Sequence, residues 1–393
     1  MKGTRTMMAA LSALTIGVVL AGCSSGSSTA SSGAASTAAS TAASAAAPAA
    51  SSDAAAPSAK YKVALSMSYS GNDWQSTSTN LILAASKVAP LADRVETVDV
   101  QIAGTDPQAQ ISQLQQMIAA GYNAIVMYPI SPTALNPTIK QACEAGIVVV
   151  TYDSQVTEPC AYNVTFDQGA AGRQSAEYLA DLMGNKGNVV MITGVAGTTA
   201  DTDRTAAAEA VFKERGITVL DKCAGDWAQG PAGECMKRFF AAFDDINGVW
   251  AQAGGVAIPD AYDAAGKPYV PMIAEAENIW RLRLADPAYV AKGLKGASYG
   301  SPQYQGAAAL KVAIDALDGK KPAENMVLIP YSWVPQEEVL VCKTGSIAEL
   351  EAGCNAFAKG TVSEGFFADW YSPDYTPGLP LESALTGEAP AAS

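Results

Sequence analysis

Residues 105–153 read TDPQAQISQLQQMIAAGYNAIVMYPISPTALNPTIKQACEAGIVVVTYD, in which a helix followed by a strand occurs twice. Asp106 suits the N-cap of the first helix, Pro107 suits its first helical position, and Gly121 is a typical residue to end it. The apolar stripe of this helix is formed by Ile111, Leu114 and Ile118.

Each of these helices is followed by a short apolar run. Residues 124–128 and 147–151 read AIVMY and IVVVT, and such runs are typical of strands buried in a parallel sheet. Residues 132–145 between them predict the second helix. Alternating helices and β-branched strands predict a doubly wound α/β sheet.

The same alternation continues on both sides of this stretch. Residues 62–67 and 95–101 predict strands separated by a helix over 74–89, and a new series begins with a helix over 169–184. Two similar α/β lobes in succession imply a cleft, and ligands of such sheets bind beyond the carboxyl ends of the strands. The other predicted strands are 188–193, 217–220, 249–252, 269–274 and 296–299, and the other helices are 203–215, 229–243, 256–265 and 304–317.

The N-terminus predicts an exported lipoprotein. Basic residues Lys2 and Arg5 precede an apolar stretch over 7–20 that is too short for a typical membrane span, and small residues lead to Cys23. This motif resembles the lipobox of bacterial lipoproteins, in which the cysteine receives a diacylglycerol, and two acyl chains suffice for stable anchoring. The alternative is an ordinary signal peptide over 1–22 with an incidental cysteine.

Residues 23–59 are almost entirely Ser and Ala, which predicts a flexible stalk.

The charge and hydropathy of the chain exclude some partners. The net charge of −13 becomes −15 without the two basic residues of the signal peptide, so nucleic acid is not an expected partner. No second long apolar run follows, so no transmembrane span is expected.

The remaining cysteines fall into three close pairs, which suggests three local disulfides in an oxidising compartment. Six cysteines allow 15 connectivities, so nearest-neighbour pairing is a hypothesis. No pair has zinc or redox spacing, and the chain has no histidine, so neither a metal nor a cofactor is expected. The cysteines are Cys143, Cys160, Cys223, Cys235, Cys342 and Cys354.

Catalysis is also disfavoured. The absence of histidine removes the commonest general base, and no phosphate-binding glycine motif follows a strand. The adjacent carboxylates Asp244 and Asp245 are typical of a solvated turn. No catalytic residue is therefore predicted.

Three loop motifs resemble those of the type I substrate-binding proteins of bacterial ABC importers, especially the ribose-type sugar-binding group. They are SGNDW at 70–74, VTYDS at 150–154 and GVAGTTADTDR at 194–204, and the resemblance covers about residues 61–333. It implies two doubly wound parallel-sheet lobes joined by a three-strand hinge. Lobe 1 would comprise 60–163 and 300–330, lobe 2 would comprise 164–299 and 331–371, and residues 372–393 would be a disordered tail.

The resemblance also implies ligand contacts from lobe 1. Asn72, Asp73 and Trp74 match a loop that supplies an amide and aromatic rings, although Trp74 has the alternative of anchoring a helix start. Asp153 matches an Asp that accepts two sugar hydroxyls, with a turn-capping role as its alternative. Its usual Arg neighbour is replaced here by Ser154.

In lobe 2, Arg204 matches an Arg that reaches ligand hydroxyls. The alternative is a surface ion pair with Asp201 or Asp203. Trp227 matches an aromatic residue that closes over a sugar ring, and its alternative is packing against a disulfide.

Other positions of lobe 2 depart from the family. Ala253 stands in a segment where the family commonly has Asn-Asp, and Gly300 stands where it often has Gln. The usual Asp after the following strand falls on Glu275 or Ala276. Losing these polar groups while keeping the aromatic residues Trp74, Trp227 and Trp280 predicts a ligand that is less hydroxylated, larger or modified relative to ribose.

The resulting hypothesis is a monomeric, membrane-anchored receptor outside the cytoplasmic membrane. It captures a small sugar or polyol by hinge closure and delivers it to an ABC permease with its ATPase. One alternative is a signalling receptor of the same fold, and another is a surface enzyme that processes glycosides or esters. A DNA-binding repressor is excluded because the chain lacks an N-terminal helix-turn-helix and is exported.

Overall fold

The computed structural model describes residues 60–391, which form two lobes, each built on a six-stranded sheet. The signal peptide, the lipidation residue Cys23 and the stalk that were predicted lie outside the described residues. The predicted α/β class with two doubly wound lobes is confirmed.

Lobe 1 is built on sheet A. Its strands are β1 (Tyr61–Met67), β2 (Val95–Ile102), β3 (Ala124–Tyr128), β4 (Val148–Tyr152), β5 (Tyr162–Thr165) and β11 (Met326–Leu328). Its helices are α1 (Asp73–Ser86), α2 (Pro107–Ala120), α3 (Asn136–Glu144) and α10 (Gln305–Leu317), with a 3₁₀ turn at Leu91–Asp93. The strand order is β11-β5-β4-β3-β1-β2, and all neighbours are parallel. Because helices cover both faces, β3 is fully buried, as its apolar run requires.

Lobe 2 is built on sheet B. Its strands are β6 (Asn188–Thr193), β7 (Thr218–Ala224), β8 (Gly248–Ala251), β9 (Met272–Glu275), β10 (Gly296–Gly300) and β12 (Ser332–Pro335). Its helices are α4 (Gln168–Leu182), α5 (Thr199–Glu214), α6 (Gln229–Ala242), α7 (Ala257–Ala265), α8 (Asn278–Ala285) and α9 (Pro287–Ala291). The order is β12-β10-β9-β8-β6-β7, in which only the pair β10–β12 is antiparallel among the described strands.

The caps predicted for α2 are confirmed. The Asp106 carboxylate accepts a hydrogen bond from the backbone N–H of Gln108 at 2.9 Å. Gly121 has φ of 71°, a left-handed conformation that glycine adopts without steric cost. The helix therefore begins and ends where its sequence signals place it.

The chain passes between the sheets at three neighbouring points. It leaves sheet A after β5, returns to lobe 1 after β10, and leaves again between β11 and β12. Each of these segments is short, which suits a hinge between rigid lobes.

The C-terminal extension (residues 336–391) corrects the predicted tail. It contains a 3₁₀ turn at Gln336–Glu338, β13 (Val341–Cys342), α11 (Ile347–Glu351), β14 (Ala356–Phe357) and α12 (Leu381–Thr386). Its first part lies on lobe 2, where the Asn278 amide donates to the Phe357 carbonyl at 3.0 Å. Its last part lies on lobe 1, where the Asn80 amide donates to the Leu385 carbonyl at 2.8 Å. The prediction of disorder is therefore wrong for residues 372–391, and the chain passes between the lobes a fourth time.

The nearest-neighbour disulfide hypothesis is confirmed. The bonds join Cys143 to Cys160, Cys223 to Cys235, and Cys342 to Cys354. The last of these closes a loop of the C-terminal extension. Among residues 60–391, no helix is both long enough and apolar enough to cross a membrane.

Candidate ligand-binding site

A cavity lies where the carboxyl ends of strands from both sheets meet. Tyr128 ends β3 and Glu275 ends β9, while Asp153 and Ser301 directly follow β4 and β10. The complete lining is Asn72, Trp74, Gln75, Tyr128, Asp153, Arg204, Trp227, Glu275 and Ser301.

Asp153 is held rigidly at the lobe 1 side of the cavity. Its φ of 59° is left-handed, which is uncommon for a residue other than glycine. The Thr165 hydroxyl fixes its carbonyl at 2.7 Å. Its Oδ1 accepts hydrogen bonds from the Gln168 amide, the Ser301 hydroxyl and the Gln305 amide at 3.1, 3.0 and 2.9 Å.

Arg204 joins the two lobes at the centre of the site. Its guanidinium pairs with the Glu275 carboxylate within lobe 2 and lies 3.5 Å from Asp153 Oδ1 of lobe 1. A third interaction is a hydrogen bond from Nε to the Gln168 side-chain carbonyl. Arg204 is only 1% exposed, so these interactions take place away from water.

The protonation of this cluster follows from burial and charge. Burial alone would lower the pKa of Arg204, but the negative charges of Glu275 and Asp153 raise it, so the guanidinium stays charged. Burial raises the pKa of Glu275 to about 8, because the attraction of Arg204 offsets desolvation only in part. Glu275 is therefore a carboxyl that titrates near neutral pH.

Two indole rings lie at the walls of the cavity. Trp74 donates from Nε1 to the Ser301 carbonyl at 2.8 Å, and its ring is nearly parallel to that of Tyr152. Trp227 donates from Nε1 to the side-chain carbonyl of Gln252 at 2.9 Å. Each indole is thus oriented by a hydrogen bond from its Nε1.

Two hydrogen bonds join the rims of the lobes directly. The Tyr69 hydroxyl donates to the Asp226 carbonyl at 3.1 Å, and the Asn72 amide donates to the Trp227 carbonyl at 2.9 Å. Asp226 and Trp227 both have φ of 51°. This left-handed backbone turns both carbonyls of lobe 2 toward lobe 1.

Some buried polar atoms near the cavity have no partner among residues 60–391. They include Oε1 of Gln75, which lines the cavity, and Oε1 of Gln305, whose amide nitrogen binds Asp153. Leaving such an atom without a hydrogen bond costs about 1–3 kcal/mol. Among the described residues, the side-chain carbonyl of Gln75 is therefore an unused acceptor in the cavity lining.

The chain matches the periplasmic binding protein domain family over residues 63–321. It belongs to the periplasmic binding protein family. The chain is 32% identical over 176 residues to a xylitol-binding protein of Mycolicibacterium smegmatis. It is 30% identical over 202 residues to a D-ribose/D-allose-binding protein of Pseudomonas aeruginosa. The matches cover 44% and 49% of this chain, but only 50% and 63% of those relatives.

Solved structures agree with this periplasmic binding protein fold. An ABC transporter solute-binding protein of Thermobispora bispora superposes with a TM-score of 0.69 at 22% identity, covering 85% of this chain and 98% of that one. A protein of Actinobacillus succinogenes solved with D-allose gives a TM-score of 0.61 at 20% identity, with coverages of 71% and 98%. At these identities the likeness shows the fold.

Six of the ten residues predicted to bind ligand line the cavity of this periplasmic binding protein. The ambiguity after β9 is resolved, because Glu275 reaches the cavity and Ala276 does not line it. The alternative partners of Arg204 are not observed, since its ion pairs are with Glu275 and Asp153. The six are Asn72, Trp74, Asp153, Arg204, Trp227 and Glu275.

Four predicted residues lie outside the lining. The Asp73 carboxylate accepts a hydrogen bond from Ser363 of the C-terminal extension. A Cβ at Gly300 would meet Asp369 of the same extension, so this position faces away from the cavity. Ser154 and Ala253 are buried beside the site.

Trp280 does not line the cavity, contrary to the expectation from the sequence. Its ring is buried in the core of lobe 2, where Nε1 donates to the Ala297 carbonyl at 3.0 Å. The cavity therefore has two tryptophans.

The predicted ligand-binding residues did not include three of the lining residues, Gln75, Tyr128 and Ser301. Tyr128 is the last residue of an apolar strand, and Asp153 directly follows one. The reasoning from strand ends that predicted Asp153 therefore also applies to Tyr128. Gln75 follows Trp74 in the first turn of α1, where the sequence carries no further signal. Among the described residues, no cluster of three or more acidic, Cys or His side chains could hold a metal ion.

Proposed function

We propose that this periplasmic binding protein is a receptor that captures one small polyhydroxylated solute, a sugar or polyol, between its lobes. The observation that carries the proposal is the cluster of Asp153, Arg204 and Glu275 enclosed by Trp74 and Trp227. Hydroxyl-rich edges suit charged hydrogen-bonding groups, and the weakly apolar faces of a sugar suit flat aromatic rings. The names of the relatives that bind xylitol, ribose and allose support the same ligand class.

Capture would proceed by closure of the lobes. Asp153 belongs to lobe 1, whereas Arg204 and Glu275 belong to lobe 2, so a ligand that contacts all three makes its full set of bonds only when the lobes are closed. That difference in contact energy is what shifts an open–closed equilibrium. The closed form would then deliver the ligand to an ABC permease with its ATPase.

The proposed location is the outer side of the cytoplasmic membrane, with the protein anchored through a lipid on Cys23. The sequence that ends in Leu20-Ala-Gly-Cys23 supports this part of the proposal, and so does the family. We expect a monomer, because the proposed site is complete within one chain. A signalling receptor of the same fold remains the main alternative, and genes for a permease and an ATPase beside this one would favour transport.

A binding screen tests the proposal. The purified protein is heated with pentoses, hexoses, alditols and their derivatives, and a ligand present at about 100 times its Kd should stabilise the protein by about 2.7 kcal/mol. This corresponds to a rise in Tm of about 5–10 °C. Asp153→Asn should weaken the best ligand by about 10- to 100-fold, since it removes a charged hydrogen-bond acceptor.

The matched control is Asp181→Asn, which removes a carboxylate that is 61% exposed and pairs with Arg215 on the surface. Its affinity should equal that of the wild type. If no polyhydroxylated compound raises Tm, the proposal is overturned. If the protein converts a candidate sugar to product, the enzyme alternative replaces it.

A further inference from the structure

The cavity is lined by one more carboxyl group than guanidinium groups. Two carboxylates, those of Asp153 and Glu275, line it, and both interact with one guanidinium, that of Arg204. All three side chains are more than nine-tenths buried, at 3%, 3% and 1% exposure. The position after Asp153 carries Ser154 and supplies no second cation. With all three groups ionised, the cluster has a net charge of −1.

Further buried carboxylates lie behind the cavity. Glu277 accepts hydrogen bonds from the backbone N–H groups of Gly254 and Gly255 and from the Gln229 amide. Asp201 accepts from the Gly194 N–H and the Gln252 amide at 2.7 and 2.9 Å, which are neutral donors.

Within residues 60–391, the other buried arginines form no ion pair with these carboxylates. Within residues 60–391 the other buried guanidinium groups are those of Arg281 and Arg283. They form ion pairs with Asp369 and Asp260, away from the cavity. Among the described residues, Arg204 is therefore the one cation in direct contact with the carboxyl groups of the cavity.

Each of the two carboxylates in the cavity lining has one oxygen to which the described residues do not donate. Glu275 Oε1 accepts from Arg204, and Asp153 Oδ1 accepts from neutral side chains. Their second oxygens, Oε2 and Oδ2, accept no hydrogen bond from the part of the chain that the structure describes. The two residues come from opposite lobes, so one donor group between them would bind both lobes at once.

We propose that the ligand carries a protonated amine on a polyhydroxylated frame, as an amino sugar or amino polyol does, and that its ammonium group lies between Asp153 and Glu275. An ammonium group has three donors and one positive charge, which matches two carboxylate oxygens and the missing charge. This inference rests on the proposed function, since it specifies the ligand class for the same cavity.

Proton exchange follows from the same arrangement. The groups that face Glu275 are Arg204 of α5, Asp153 of lobe 1, Glu277 and Tyr299 of β10. Burial raises the pKa of Glu275 to about 8, so the side chain holds a proton near pH 6.5. An incoming ammonium replaces that proton, which leaves to solvent, and the total charge of the cavity is conserved. Affinity for the amine should therefore rise with pH, by up to about tenfold per unit below pH 8.

Titration calorimetry with matched probes tests the inference. The pairs are glucamine with sorbitol, aminoxylitol with xylitol, and galactosamine with galactose, measured at pH 6.5. In the pair that binds best, the amine should bind about 10- to 100-fold more tightly than its neutral partner. Repeating the titration in buffers of different ionisation enthalpy should show the release of close to one proton per amine bound.

Glu275→Gln keeps the shape of the side chain and an acceptor for Arg204. It should abolish both the preference for the amine and the proton release. Asp181→Asn changes the net charge by the same amount on the surface and should leave both unchanged.

The probes distinguish failure of the amine proposal from failure of the proposed sugar or polyol binding. If neutral probes bind as tightly as amines or more tightly, or if Glu275→Gln keeps the preference, this inference is overturned and the proposed function stands. If neither kind of probe binds or raises Tm, the proposed function is overturned as well.

Discussion

Replacing Arg204 by methionine should destabilise the protein strongly. The substitution keeps an apolar stem beside the rings of Phe166 and Tyr299, over which the guanidinium lies at 5.2 and 5.8 Å. It removes the ion pair with Glu275 and the contact with Asp153, and it leaves these two carboxylates buried without a cation.

The magnitude follows from the burial of the pair. Removing one partner of a buried ion pair costs about 3–5 kcal/mol, because the remaining charge loses its compensation. At about 2–4 °C per kcal/mol, Tm should fall by about 6–20 °C. Removing the carboxylate as well, in Arg204→Met with Glu275→Gln, should restore most of this loss, since a neutral replacement of a buried pair is often tolerated.

Thermal and urea denaturation at pH 9, where Glu275 is ionised, measure these effects. Arg215→Met is the matched control, because Arg215 is 40% exposed and its ion pair with Asp181 should contribute less than about 1 kcal/mol. Equal stability of Arg204→Met and this control would refute the role of Arg204 as the buried counter-ion. Failure of the double variant to recover would show that packing, and not charge, causes the loss.

Three further predictions concern other parts of the chain. Burial raises the pKa of Glu277 to about 7 from the usual 4.5, so the stability it contributes is present below pH 4.5 and lost as the pH rises to 7. The free energy of unfolding, measured by urea denaturation, should therefore fall for the wild type relative to Glu277→Gln between pH 4.5 and pH 7. A difference between the two proteins that stays constant over this range would contradict the raised pKa of Glu277. Asn72→Ala removes the hydrogen bond to the Trp227 carbonyl and the N-cap of α1. Small-angle X-ray scattering of the unliganded protein should then show a larger fraction of molecules with open lobes, and so a larger radius of gyration. An unchanged radius of gyration would argue against the hydrogen bond between Asn72 and Trp227. Cys23→Ser should move the protein from the membrane fraction to the soluble fraction, whereas continued membrane association would exclude the lipid anchor.

The sheets and the strand-end residues were predictable because their signals are local. The caps of α2 specify its ends, and the β-branched run before Asp153 specifies a strand whose end faces the cleft. The same logic gave Glu275, although sequence spacing could not separate it from Ala276. Only the structure shows which of the two side chains enters the cavity.

The C-terminal extension was not predictable in the same way. Its elements are short, and isolated helices of this length are unstable in water. Tertiary contacts stabilise them, as where the completely buried Ala384 packs on α1 and the Asn80 amide binds the backbone of α12. Gly300 illustrates the consequence, since the sequence did not reveal that this position faces Asp369 of the extension.

A crystal structure of the protein with the tightest compound from the binding screen would locate the ligand. We expect one small polyhydroxylated molecule enclosed between Trp74 and Trp227, with Asp153 and Glu275 accepting its hydrogen bonds and Arg204 beside it. A ligand bound outside this cavity, or one that contacts a single lobe, would refute binding between the lobes.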